Sequence, residues 1–146
     1  TLVARPPSVR ADDHLFLGFN DIIEPLSGMT LAGEDHIRNF IRFVDRWDQK
    51  APLIVHCWAG VSRSTAGAMI AACVLRPDLD EAAIAKTIRQ RSPEATPNKR
   101  LVALADDILG RDGRLLDAVA GIGRGIDCYE GSVFHLKIAG ADDGAL

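Results

Sequence analysis

Leu53-Ile54-Val55-His56-Cys57-Trp58-Ala59-Gly60-Val61-Ser62-Arg63-Ser64-Thr65 is the stretch on which the reading of the fold turns. It opens on a short β-branched run at 52–55, of the kind that forms a buried parallel strand. A thiol stands at the strand end, five residues follow, and Arg63 leads into 64–75, an Ala-rich segment that predicts a buried helix. A loop between a strand and a helix N-terminus turns successive backbone N–H groups inward and makes an anion cradle. Gly60 permits the sharp turn, and Arg63 supplies a planar fork matched to two oxygens of an oxyanion. The same field favours thiolate over thiol, so Cys57 reads as a nucleophile at neutral pH.

Outward from this stretch, 34–48 carries Ile37, Phe40, Ile41, Val44 and Trp47 at spacings of three and four, one apolar stripe of an amphipathic helix. Asp80 is placed to cap a helix running to about position 91. Asn98 reads as the N-cap of 99–109, with Gly110 as its stop. A further helix is expected over 115–122, and strands over 1–4, 14–19 and 133–138. Positions 5–13 and 21–33 read as loops, the second long enough to suggest function. Alternating strands and helices predict an α/β fold: a central, mostly parallel sheet of about four to five strands flanked by helices.

The chain of 146 residues fits one domain over 1–146, with 111–146 as a C-terminal extension. It begins at Thr1, which suggests residues removed upstream. A formal net charge of −3, with acidic residues spread along the chain, offers no general attraction for nucleic acid or an anionic membrane. No apolar run approaches the roughly 20 residues of a membrane span, and the N-terminus does not read as a secretory signal. Three cysteines, an odd number without metal-type spacing, disfavour a disulfide framework and point to a reducing cytoplasm. Oligomeric state is left open.

The segment 56–64 resembles the signature of the cysteine-dependent protein tyrosine phosphatases, H-C-x-x-G-x-x-R-[ST], with His56, Cys57, Gly60, Arg63 and Ser64 at its fixed positions. It is most similar to the dual-specificity branch, in a bacterial version, and the resemblance covers about 15–109. It implies a phosphotyrosine-phosphatase-like fold and a phosphomonoester hydrolase working through a phosphocysteine, with no cofactor and no metal. Cys57 would be the nucleophile. Arg63 and the loop from Trp58 through Ala59, Gly60, Val61 and Ser62 would hold the phosphate, and Ser64 would stabilise the departing thiolate. His56 would order the loop by bonding to backbone. Asp21, 36 residues upstream in L-G-F-N-D, matches the family's general acid, with Glu24 as its competitor. Pro97-Asn98, followed by Leu101 and Leu104, is similar to a later family segment whose Asn supports the phosphate loop.

None of Trp58, Ala59, Val61 and Ser62 is basic, where relatives that hydrolyse polyphosphorylated lipids tend to carry lysines, which argues for a monophosphate ester; the resemblance implies a phosphotyrosine protein or a small aryl phosphate as partner. Two other classes stand as alternatives: a silent phosphate-binding pseudophosphatase, and a sulfur-transfer or arsenate-reducing protein built on a similar loop. Cys73 reads as a core hydrophobe and Cys128 as a lone tail thiol. Trp58 fits equally a substrate rim or the core beside the loop. His14, His36 and His135 have no partner spacing, Gly121–Gly125 reads as close packing, and Asp106-Asp107 reads as an exposed helix face.

Overall fold

The computed structural model describes residues 3–138. Among them lie α1 (Glu34–Asp45), α2 (Arg63–Leu75), α3 (Glu81–Arg91), α4 (Lys99–Leu109) and α5 (Arg114–Ile122), with a single 3-10 turn at Ala11–Asp13. Helix α1 buries Ile37 and Val44 on the expected stripe, with Phe40 and Ile41 packed alongside. It ends three residues short of the expected boundary. There the Trp47 indole donates to the Ala51 carbonyl at 2.9 Å, which bends the chain away. Asp80 caps α3 through the Ala83 N–H at 2.8 Å. Asn98 caps α4 by accepting from Arg100 and Leu101, and Gly110, at φ 63°, ends it.

Helix α2 is the axis of the core. From Ser64 to Cys73 every residue except Ala68 is buried, and the helix packs against α1, α3 and α4. Small residues on all sides allow that closeness. Helix α5 closes the other side of α3 and α4. Asp106, expected on an exposed face, is buried: its carboxylate accepts the N–H groups of Gly113 (2.7 Å) and Leu115 (2.9 Å) at the head of α5. Helix N-termini present unpaired donors, and a carboxylate from a neighbouring helix meets them as well as a local cap does.

The expected central sheet is absent: among the described residues there is no strand. Segments 14–19, 52–57 and 133–138 run outside the helices with no ladder of cross-strand bonds. In 52–57 the side chains alternate, with Leu53, Val55 and Cys57 half-buried while Ile54 (80% exposed) and His56 face solvent. The covered face meets α2 at Gly67, where a Cβ would come within 2.9 Å of the Val55 side chain. A run rich in Val and Ile is therefore satisfied here by one covered face. Composition signals burial, but a ladder needs a neighbour that composition does not supply. The same holds for 133–138: Phe134, Leu136 and Ile138 pack on the core while Val133, His135 and Lys137 are exposed. Of the strand expected at 1–4, positions 1–2 lie outside the described residues and 3–4 are exposed coil.

One buried ion cluster ties the helices together. Glu81 Oε1 accepts from Arg111 Nη1 (2.8 Å) and Arg114 Nε (3.1 Å), and Arg111 Nη2 donates to the Cys73 carbonyl at the end of α2. Burial pushes the Glu81 carboxyl up, but its own backbone N–H and the two guanidinium groups outweigh burial and hold it below its ordinary 4.5. Removing one partner strands a buried charge, so Glu81→Ala should cost about 3–5 kcal/mol in urea denaturation at pH 7. A depressed carboxyl contributes stability above its unfolded pKa that is lost as pH falls through the folded value. The wild-type urea midpoint should therefore fall on acidification below pH 4.5, and Glu81→Ala should lack that component.

Candidate active site

Cys57 sits at the end of the extended segment 52–57, where the chain turns into α2. Its Sγ lies 3.3 Å from the Ser64 hydroxyl oxygen, and the Gly60 N–H donates to it at 3.3 Å. Gly60, at φ 76°, occupies the left-handed region that makes this turn possible. Burial pushes the Cys57 thiol up. Hydrogen bonds from the Ser64 side chain and backbone and from Gly60, with the Arg63 charge, outweigh burial and leave the thiol below its ordinary value. Cys73, buried in α2 without such donors, is pushed up to about 11 by desolvation. Cys128 is exposed.

The loop 58–63 has a definite backbone pattern. The carbonyls of Ala59, Val61 and Ser62 accept from the N–H groups of Gly131 (2.6 Å), Thr96 (2.9 Å) and Asn98 (3.2 Å). A trans peptide points its N–H opposite to its C=O, so these bonds turn the partner amides of Gly60, Ser62 and Arg63 the other way. Among the described residues the N–H groups of Trp58, Ala59, Val61, Ser62 and Arg63 have no acceptor. Arg63 donates from Nη1 to the Phe19 carbonyl at 3.0 Å, while its Nε is buried without a partner. Unpaired amides at the head of a helix, beside a buried guanidinium nitrogen that lacks an acceptor, are the donor set an oxyanion takes up.

Asp21 joins this loop from 41 residues away. Its Oδ1 accepts the Ser62 hydroxyl at 2.7 Å and the Asn98 amide at 2.7 Å. Oδ2 has no hydrogen bond among the described residues. The loop that follows is closed at its neck by Asn20, whose N–H donates to the Thr30 carbonyl and whose Oδ1 accepts the Thr30 N–H, both at 2.8 Å. Glu24 lies on the exposed part of this loop with no hydrogen bond among the described residues. Of the two carboxylates weighed as acids, the structure ties Asp21 to the loop 58–63 and leaves Glu24 apart.

His56 does not order the loop: it is exposed and makes no hydrogen bond among the described residues. The period-two alternation of the extended segment points it to the opposite side from Cys57. Trp58 is 78% exposed, on the rim and not in the core. Ser62 as the partner of Asp21 could not be read from the sequence, because the pairing depends on how two distant loops meet. Among the described residues no group of three or more His, Cys, Asp and Glu is arranged to hold a metal. No helix among them is long and apolar enough to cross a membrane.

Residues 10–78 match the model of a family described as a polymorphic toxin system DSP-PTPase phosphatase. No curated protein and no solved structure matches the chain. The matched stretch includes Asp21 and the whole of 56–64. Residues 10–78, which bring together the thiol and the arginine, are thus similar to a dual-specificity-phosphatase-like family.

Proposed function

We propose that this chain hydrolyses phosphate monoesters through a phosphocysteine, with phosphotyrosine in a protein or a small aryl phosphate as substrate. The observation that carries the reading is the lowered thiol of Cys57 within one loop of a buried, unpaired Arg63 Nε. In the first step the Cys57 thiolate attacks phosphorus while Arg63 and the free amides hold the non-bridging oxygens. The P–O ester bond breaks, and Asp21 gives its proton to the leaving oxygen. Water then attacks phosphorus, Asp21 takes its proton, and the S–P bond breaks to return the thiolate, which accepts from the Ser64 hydroxyl. Asn98 and Ser62 hold Asp21 in place through Oδ1.

The exposed Trp58, with Ile23, Leu26 and Met29 exposed on the Asp21 loop, supports an aromatic substrate by offering apolar faces to its ring. The description of the matched family supports a place for the chain in a polymorphic toxin system. The cytoplasm, which keeps a reactive thiol reduced, is the compartment in which we place its action.

Hydrolysis of p-nitrophenyl phosphate by wild type, its loss in Cys57→Ser, and a phosphocysteine adduct trapped by mass spectrometry test the reading. Phosphate binding without turnover would support the pseudophosphatase instead. Asp21→Asn should lower kcat by about 10²–10⁴-fold for esters with poor leaving groups. It should have much less effect for acidic phenols, whereas Glu24→Gln should stay near wild type on both. A steep leaving-group dependence in Glu24→Gln and none in Asp21→Asn would move the acid to Glu24.

Thiol chemistry gives a separate check. A lowered pKa means that the thiolate is present at lower pH, so iodoacetamide near pH 6 should label Cys57 well before Cys73 and Cys128, and inorganic phosphate should protect it. Labelling of all three thiols at equal rates would contradict the assignment of Cys57.

A further inference from the structure

The C-terminal segment beyond α5 lies outside the family match, yet it returns to the site. Gly125 donates its N–H to Thr96 Oγ1 at 3.0 Å, and its Cα lies so close to the Glu94 backbone that a Cβ would come within 2.4 Å of it. Ile126 donates to the Pro93 carbonyl at 3.1 Å. The Ser132 N–H donates to the carboxylate of Glu94, a residue 4% exposed. Between these anchors Gly131 donates to the Ala59 carbonyl at 2.6 Å and rests against Gly60, where a Cβ at position 131 would come within 2.7 Å of the Gly60 oxygen.

The Ala59 carbonyl and the Gly60 N–H belong to one planar peptide group. One end accepts from Gly131 and the other donates to Cys57 Sγ. We propose that 125–132 is a clasp on the loop, with Gly131 and Glu94 as positioning residues that aim the Gly60 N–H at the Cys57 sulfur. The clasp acts in two ways. It fixes the rotation of the peptide, and its hydrogen bond at the carbonyl polarises the N–H at the other end, as bonds in a chain strengthen one another. Glu94 works one step back: its carboxylate holds Ser132 and so sets the height of Gly131 over Ala59. The inference rests on Cys57 being the reacting thiol, and it adds that the tail, outside the 10–78 match, tunes that thiol.

The test is the pH dependence of Cys57 alkylation by iodoacetamide, read by mass spectrometry on the full chain, beside helical circular dichroism. Arg63 and the hydroxyl and backbone N–H of Ser64, the other groups facing the sulfur, are unchanged in every variant. Gly131→Ala and Glu94→Ala should slow labelling at pH 6 by about threefold or more and leave the rate at pH 9 near wild type, because only the thiolate fraction changes. Glu94→Gln keeps an acceptor oxygen for Ser132 and should follow the wild-type profile more closely than Glu94→Ala. Wild-type profiles in folded Gly131→Ala and Glu94→Ala would overturn the clasp.

A wild-type measurement covers the case in which a variant does not fold. In amide NMR the Gly131 N–H should titrate with the midpoint of Cys57, and should lose that response in Cys57→Ser, while Ile126 stays still. A Gly131 amide that ignores the Cys57 titration would also overturn the proposal. Failure of the proposed function shows elsewhere, as absent p-nitrophenyl phosphate hydrolysis, so the two are read apart.

Discussion

Helix α2 has almost no solvent face between Ser64 and Cys73, and it is held by α1, α3 and α4. A helix buried in this way cannot slide or rotate without opening cavities along its length, since cores are packed like solids. Its N-terminus is therefore a fixed point, and the loop carrying Cys57, Gly60 and Arg63 is hung from it. The Glu81–Arg111–Arg114 cluster secures the opposite end by bonding to the Cys73 carbonyl. Burial at the centre and an ion cluster at one end leave the other end to carry polar groups that are not spent on holding the helix.

At that end the backbone makes most of the polar contacts. Three carbonyls of the loop are taken by Gly131, Thr96 and Asn98. The amides bound to those carbonyls are turned the other way. One of them meets the Cys57 sulfur and the rest have no acceptor among the described residues. The contest over the Cys57 thiol is decided in the same place. Desolvation opposes the charge, and donors from Ser64 and Gly60 with the Arg63 field overcome it. Cys73 shows what the helix interior does to a thiol without those donors.

The carboxylate that pairs with this loop arrives by a different route. Asp21 is fixed by Ser62 and Asn98, residues from the loop 58–63 and from the cap of α4. Asn98 serves three elements at once: its Oδ1 caps α4, its N–H holds the Ser62 carbonyl, and its Nδ2 holds Asp21. A single residue, through its backbone and its side chain, thereby ties the loop of Cys57 to the loop of Asp21. Removal of the Nδ2 donor would leave the backbone bond to Ser62 in place and Asp21 held by the Ser62 hydroxyl alone.

The helices and the local sequence pattern around Cys57 could be read along the chain, because both depend on residues close in sequence. The apolar stripe of α1, the Asp80 and Asn98 caps, the Gly110 stop and the run from Cys57 to Arg63 are local patterns, written in spacings of three to seven residues. The segments expected to pair as a sheet depart from that reading for the same reason. A β-branched run such as 52–55 shows that a face is to be covered, whereas pairing is a relation between distant segments, and here α2 covers that face. The same limit hid the burial of Asp106, the bond from Ser62 to Asp21 and the approach of Gly131 to Ala59. Each joins positions brought near only by packing, where a carboxylate or an amide takes whichever partner the fold sets before it. Residue types and short spacings determined which polar groups the chain offers; tertiary packing decided which of them meet, because hydrogen bonds depend on distance in space and not along the chain.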